Sequence, residues 1–239
     1  MNDYDFSGKL PFSWPRNTRQ ANLNYFDATS NPLFSFGYGL NYEEEIFINN
    51  LDEGDKSEQK LDSIELMNGT INDNFIGFIR ESDLAEVQIS SNKVNSQNGL
   101  ISIDLIDVNI QDDTLKIKVQ KSDYLNSFFL LSKEILDLSS LSEGYINLTA
   151  RVNDIGGEIK YIISCGIGCF PVIDLTEFLQ VSEGFKKYSI PVKCFTNYSN
   201  LDLTKVNLPM YLATQGPVDI DISKANISRD AGDVVLSCY

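Results

Sequence analysis

One stretch of the chain carries side chains that could bind a sugar. Residues 145–153 alternate between apolar and polar side chains, and alternate residues of a β-strand share one face. The polar face would present Tyr145, Asn147, Arg151 and Asn153. An aromatic ring can stack on a pyranose, while amides and a guanidinium hydrogen-bond its hydroxyl groups. We predict a carbohydrate-binding face at these four residues. The competing interpretation is the ordinary solvent side of an antiparallel sheet.

The chain of 239 residues contains no histidine, which limits its chemistry. Mechanisms that need an imidazole base, a Ser–His or Cys–His pair, or a zinc site with His ligands are excluded. Six aspartates could offer oxygen ligands to calcium: Asp104, Asp107, Asp112, Asp113, Asp219 and Asp221. Their spacing is not that of an EF-hand loop. We therefore expect no cofactor and no metal, with a structural calcium ion as the alternative.

The four cysteines, Cys165, Cys169, Cys194 and Cys238, all lie in the last third of the chain. Cys165 and Cys169 flank a Gly-Ile-Gly segment that lacks the second cysteine pair of a zinc ribbon and is not a redox C-x-x-C motif. Two interpretations stay open. The cysteines are buried free thiols, or Cys165 and Cys169 form a local disulfide, which implies an oxidising compartment.

The net negative charge limits which partners the chain can bind. The chain has 34 acidic and 19 basic residues, a formal net charge of −15. Such a charge repels phosphate backbones and anionic lipids, so we expect no nucleic-acid partner and no membrane partner. No apolar run approaches the ~20 residues of a membrane-spanning helix. The acidic, polar start of the sequence is not that of a secretory signal peptide.

The sequence changes character along its length. Residues 1–47 are rich in aromatic side chains and are interrupted by Pro and Gly, which predicts extended segments and turns. So many large apolar side chains in a short segment need a partner surface. Residues 48–60 belong to an acidic stretch that begins at Glu43 and is typical of a solvated linker.

From residue 61 onward the pattern is that of short strands. Period-two alternation and turn signals predict strands at 77–80, 87–90, 100–105, 114–120, 128–131, 145–152, 158–164, 188–194, 210–213 and 218–222. Asp174, with an acidic residue three positions on, predicts the start of one short helix over 174–179. Many short strands and little helix indicate an all-β sandwich or barrel.

Two N-terminal motifs resemble a known family. DFSGKLPFSWPR at residues 5–16 and PLFSFGYGLNY at residues 32–42 are similar to the end of the α/β sandwich domain of glycoside hydrolase family 3, the β-glucosidases and exo-β-glucanases. Both motifs occur in the family's order and spacing. Ser35 stands where the family often has Pro.

The remainder resembles the extra C-terminal β-sandwich of the bacterial exo-1,3/1,4-β-glucanase branch. The similar segments are 165–169, 172–176, 188–195 and 206–216. The resemblance implies a galactose-binding-like jelly-roll fold. It also implies a division into a remnant of the α/β sandwich domain at 1–47, an acidic linker at 48–60 and a β-sandwich at 61–239.

The resemblance further implies an accessory role. The family's Asp nucleophile and Glu acid/base, the carboxylate pair of a retaining glycosidase, lie in parts that precede the N-terminal motif, so neither has a counterpart here. We expect a non-catalytic module that binds β-glucan oligosaccharides weakly and accompanies upstream catalytic domains. The alternative is a glycoside hydrolase that functions once joined to those domains. The resemblance implies a periplasmic or secreted parent protein.

Overall fold

A computed structural model describes residues 7–15, 32–41, 62–82, 84–108, 113–197 and 200–238. The chain divides into two compact units, residues 1–59 and 60–239. The predicted linker at 48–60 and the acidic run that begins at Glu43 lie outside the described residues. The domain boundaries proposed from the sequence therefore stay a prediction.

The described part of the N-terminal unit is an extended antiparallel pair. The backbone N–H of Trp14 donates to the carbonyl of Phe34 at 2.8 Å, and Leu33 N–H donates back to Trp14 at 2.9 Å. The rings of Trp14 and Phe34 meet edge to face with centroids 6.0 Å apart. Even so, 46% of Trp14 is exposed, as expected for a segment that lacks enough surface to bury its own aromatic residues.

The second unit is built almost wholly from strands. The first eight are β1 (Ser63–Asn68), β2 (Thr70–Ile71), β3 (Phe75–Glu81), β4 (Val87–Gln88), β5 (Lys93–Asn95), β6 (Ile101–Ile106), β7 (Thr114–Val119) and β8 (Asn126–Ser132). The others are β9 (Tyr145–Ile155), β10 (Glu158–Ser164), β11 (Val172–Asp174), β12 (Lys186–Pro191), β13 (Leu208–Gln215), β14 (Val218–Ser228) and β15 (Val234–Val235). One α-helix, α1 (Lys193–Thr196), and two 3₁₀ turns, Ser139–Leu141 and Leu203–Lys205, complete the described elements.

These strands form two sheets. One has the order β15-β12-β9-β14-β7-β6-β5, with β1 paired to β14 and β2 paired to β1; the other has the order β11-β10-β13-β8-β3-β4. The pairings are antiparallel except for β12 with β15. The predicted all-β sandwich is confirmed, because period-two strands bury one face each when two sheets stack.

The core between the sheets consists of the alternate apolar side chains. β9 contributes Ile146, Leu148 and Val152, which are fully buried, and the facing sheet contributes Phe128 and Tyr161. Burial of each such side chain stabilises the fold by about 1.5–3 kcal/mol. Every described residue of this core lies at position 64 or beyond, so the sandwich fills its own interior.

Two local predictions are wrong. Residues 174–179 form only a single turn, in which Leu179 N–H donates to Leu175, because Asp174 already pairs as the last residue of edge strand β11. The predicted strand at 188–194 ends at Pro191, and helix α1 follows. Proline has no N–H for the sheet ladder, which favours ending the strand there.

Among the described residues, no helix is long and apolar enough to cross a membrane.

All four cysteines are paired. Cys165 bonds to Cys169, and Cys194 bonds to Cys238. No free cysteine remains, so the interpretation as buried free thiols does not hold. The second pair joins helix α1 to the C-terminal segment and was not anticipated from the sequence, because partners 44 positions apart cannot be matched from spacing alone.

Glu81 is a buried carboxylate with a structural role. Its two carboxylate oxygens accept the backbone N–H groups of Asn98 at 2.9 Å and Leu100 at 2.7 Å, which anchors the turn between β5 and β6. Burial opposes ionisation, but these hydrogen bonds outweigh it, and the pKa of Glu81 lies below its usual value. Its contribution to stability is therefore present above the unfolded-state pKa and is lost as the pH falls through the folded-state pKa.

We predict that Glu81→Gln lowers the free energy of unfolding by about 1–3 kcal/mol at neutral pH, since one backbone N–H loses its acceptor. Urea titrations should show the difference shrinking as the pH falls through the acidic range. Glu86→Gln is the matched control, because the exposed Glu86–Arg80 ion pair at 3.6 Å is worth at most about 1 kcal/mol. Equal losses for both variants would contradict the assignment.

We also predict that deleting residues 1–59 leaves the melting temperature of the sandwich nearly unchanged, because the described core contains no residue from that segment. Differential scanning calorimetry of the two chains measures this directly. A fall of many degrees in the truncated chain would place the N-terminal segment in the sandwich core instead.

Candidate functional site

The four residues predicted to bind sugar all project from β9, on the outer face of the nine-stranded sheet, but they do not form one site. Tyr145 and Arg151 are six residues apart along the strand, about 20 Å at the rise of an extended chain. Tyr145 is half-buried at the start of the strand, in register with Ser228 and Pro191. The structure therefore separates Tyr145 from Arg151 and Asn153.

Asn147 is a structural residue. It is only 2% exposed. Its side-chain nitrogen donates to Ser228 Oγ at 3.0 Å and to the carbonyl of Asp230 at 3.1 Å, and its oxygen accepts the Ser189 hydroxyl. The Ser189 hydroxyl in turn accepts Gly232 N–H at 2.6 Å. Asn147 thus fastens the segment after β14 to the sheet and is not accessible to a sugar, which corrects its assignment as a binding residue.

Arg151 and Asn153 lie in a polar cluster formed by three adjacent strands. Arg151 Nη2 and Nε donate to Asp221 Oδ2 at 2.7 and 3.0 Å. Asn153 Nδ2 bridges Asp219 Oδ1 and Asp221 Oδ2, both at 2.9 Å. Lys116 Nζ lies 3.0 Å from Asp219 Oδ1. We call these five residues the polar cluster.

The pairing of β14 with its neighbours explains the cluster. Asp221 faces Lys116 on one side and Arg151 on the other. A β-bulge in β9 leaves Asn153 without a partner in β14, and bulges re-aim the extra side chain. The Asn153 amide therefore reaches both carboxylates.

The charges of the cluster are matched internally. The side chain of Asp221 is 0% exposed, and a buried carboxylate is tolerated only when cations and hydrogen bonds surround it. Arg151 supplies both. Lys116 Nζ also lies 3.7 Å from Asp221 Oδ1, an oxygen that accepts no hydrogen bond within the described part of the chain.

Phe185 completes the site and was not anticipated from the sequence. It lies in the loop before β12, and the Arg151 guanidinium carbon is 5.3 Å from its ring centroid, within the range of a cation–π contact. The ring and the Asp221 carboxylate fix the plane of the guanidinium between them. The repeated charge pattern of Lys116–Lys118 and Asp219–Asp221 could have indicated the cluster, but no sequence signal indicated Phe185.

Three of the six aspartates proposed as calcium ligands are paired with cations. Asp219 and Asp221 are paired with cations, and Asp104 lies 3.3 Å from Lys93 Nζ. Asp112 lies outside the described residues. Among the residues that are described, no group of three or more acidic or cysteine side chains could hold a metal ion.

We predict that Asp221→Asn lowers the free energy of unfolding by about 3 kcal/mol, because it leaves the Arg151 charge without its buried partner. Asp219→Asn is the matched control and should cost about 1 kcal/mol or less, since its ion pairs are partly exposed. Chemical denaturation of the three chains compares them. Similar losses for the two variants would show that the buried pair with Arg151 is not the centre of the cluster.

Comparison with known proteins shows which families and folds this chain resembles. A family model described as galactose-binding domain-like matches residues 77–227. The exo-1,3/1,4-β-glucanase of Pseudoalteromonas sp. superposes with a TM-score of 0.61 and 22% identity over 99% of this chain and 29% of that enzyme. This chain thus spans less than a third of the glucanase's length. A comparison with curated protein sequences finds no match.

Two smaller structures are similar over most of their own length. The isolated extra C-terminal domain of the same glucanase matches with a TM-score of 0.60 and 16% identity, over 73% of this chain and 98% of that domain. A family 30 carbohydrate-binding module of a Clostridium thermocellum cellulosomal cellulase matches with a TM-score of 0.53 and 14% identity, over 71% of this chain and 99% of the module.

These likenesses agree with the predicted galactose-binding-like jelly-roll sandwich. Because the family model covers more than half of the 239 residues, this chain belongs to the galactose-binding domain-like family Exop_C.

Proposed function

We propose that this chain is a non-catalytic accessory module that binds β-glucan chains weakly at the polar cluster. The observation that carries the proposal is the Arg151 guanidinium, held by Asp221 at 2.7 Å and lying over Phe185. The similarity of the fold to a glucanase C-terminal domain and to a carbohydrate-binding module supports it.

The cluster offers the groups that a sugar chain needs. Asp219 and Asn153 present an oxygen acceptor and an amide beside the Arg151 guanidinium, whose orientation is already fixed. Preorganised groups lose little conformational freedom on binding, which improves affinity. Phe185 and the stem of Lys118 supply apolar surface at the edge of the same face.

The non-catalytic role follows from the resemblance to glycoside hydrolase family 3. The Asp nucleophile and the Glu acid/base of that family, the carboxylate pair of a retaining glycosidase, lie in parts of the enzyme that precede the N-terminal motif. Catalysis would then belong to those domains.

We further propose a glycoside hydrolase family 3 exo-β-glucanase as the parent, with residues 1–47 as the end of its α/β sandwich domain. Support comes from the two N-terminal motifs and from the alignment with the glucanase, which spans 99% of this chain. The upstream catalytic domains would be the protein partners. The two disulfides support a periplasmic or secreted location, since disulfides persist in oxidising compartments.

We predict that laminarin-type and mixed-linkage oligosaccharides bind with a dissociation constant on the order of 0.1–1 mM, because a few polar contacts must offset the ordering cost. Arg151→Ala should weaken binding about tenfold or more, because it removes a charged hydrogen bond to the sugar. Isothermal titration calorimetry measures both. Tyr145→Ala is the control variant, since Tyr145 lies at the far end of β9 and should bind like the unmutated chain.

Two results would overturn the proposal. One is a titration of the unmutated chain with neither heat nor chemical-shift change, which would leave a purely structural role. The other is cleavage of an aryl β-glucoside by the purified chain, which would favour the enzyme alternative.

A further inference from the structure

A second concave site lies away from the polar cluster. A cavity of about 570 Å³ is bounded by edge strand β11, the turn after it, helix α1 and the C-terminal segment. Its volume falls in the ~300–1,000 Å³ range of small-molecule sites. It shares no residue with the polar cluster, so any ligand that it binds would be additional.

The wall of the cavity is apolar. Ile173, Phe178 and Leu236 line it and are all partly buried against the core. Phe178 is held in place by an edge-to-face contact with the buried Tyr188, with centroids 5.6 Å apart. An aromatic ring in a fixed position, with part of its surface open, suits the C–H face of a sugar ring.

Two carboxylates lie among these apolar groups. Asp174 Oδ1 accepts the Thr176 backbone N–H at 2.8 Å, and this interaction with Thr176 holds the pKa of Asp174 below its usual value. Glu177 has no hydrogen bond and no ion pair with any residue that the structure describes. The cavity therefore presents carboxyl oxygen acceptors beside an aromatic ring.

The C-terminal segment closes one side of the cavity. Leu236 N–H donates to the Ser189 carbonyl at 2.9 Å, and two residues further on Cys238 is bonded to Cys194 of helix α1. Between these anchors, Ser237 makes no hydrogen bond to another described residue. The disulfide thus holds the end of this wall in place.

We propose that this cavity binds the terminal pyranose of a β-glucan chain. Asp174 and Glu177 accept its hydroxyl groups, Phe178 contacts its C–H face, and the Cys194–Cys238 disulfide keeps the site closed. The inference rests on the proposed function for the class of ligand, but it concerns a different site. A neutral sugar is favoured over a cation because both carboxylates are solvent-exposed, where solvent and salt screen their charge.

The test follows the heteronuclear NMR spectrum of the full chain during titration with methyl β-D-glucoside, which supplies one sugar ring. We expect shifts at residues 173–178 and 236–238 with a dissociation constant of about 1 mM. Glu177→Ala should weaken binding about tenfold, whereas Glu177→Gln, which keeps an acceptor oxygen, should lose much less. Glu183→Ala is the matched control, since Glu183 is an exposed acid outside the cavity.

A neutral sugar and a cationic ligand would differ in their relative affinities and in their response to the Glu177 substitutions. If the methyl glycoside of glucosamine binds more than about tenfold tighter, and Glu177→Gln weakens binding as much as Glu177→Ala, the ligand is an ammonium group and the proposal is wrong. The proposal also requires that the double variant Cys194→Ser/Cys238→Ser loses the sugar-induced chemical-shift changes at the cavity residues. The double variant Cys165→Ser/Cys169→Ser should keep them. Retained binding without the disulfide would overturn it.

Failure of this inference is distinguishable from failure of the proposed function. A laminarin-type oligosaccharide that shifts residues 151–153 while no sugar shifts residues 173–178 would leave the polar cluster as the site and remove the cavity. Shifts confined to the cavity would support this inference and remove the polar cluster.

Discussion

The antiparallel pairing of β9 with β14 creates two opposite environments on two strands of eleven residues each. Their inward side chains, such as Leu148 and Ile222, are fully buried. Their outward side chains include Arg151 and Asp221, which bind each other at 2.7 Å. Because side chains alternate with a period of two, a slip of one residue would drive charges into the core and apolar groups into water. The core and the polar cluster therefore fix one register together.

The polar cluster depends on departures from this regular pattern. The bulge opposite Asp219 lets Asn153 bridge two carboxylates. A second bulge beside Ser223 restores the alternation, so that Lys224 and Ser228 again lie on the outer side while Ala225 is buried. The cluster is thus an ion network assembled by strand geometry. Its hydrogen bonds and ion pairs are largely satisfied within the protein.

The disulfides act at the periphery of the sandwich. One closes the loop after β10, and the other ties the C-terminal segment to helix α1. Few strand hydrogen bonds hold the C-terminal segment, since the last strand, β15, is only two residues long. A covalent bond supplies the order that the sheet ladder does not. The cavity beside Cys238 is lined in part by this segment.

The sequence by itself determined the fold class and most strands. Strand 158–164 agrees at both ends with β10, because apolar residues occupy its alternate inward positions, Ile159, Tyr161 and Ile163. It also determined the family, since all four segments that resemble the glucanase module lie within the matched range, residues 77–227. Period-two patterns are local and need no knowledge of partners.

Only the tertiary structure decided which polar residues come together. Asn147 and Arg151 share one face of one strand, yet Asn147 is buried under the segment after β14, while Arg151 meets Asp221 and Phe185. Those partners lie 34 to 83 positions away in sequence, and no local pattern records which neighbour covers a given side chain. Burial, ion pairing and disulfide partners are properties of contacts between distant segments, so they became visible only when the two sheets were assembled.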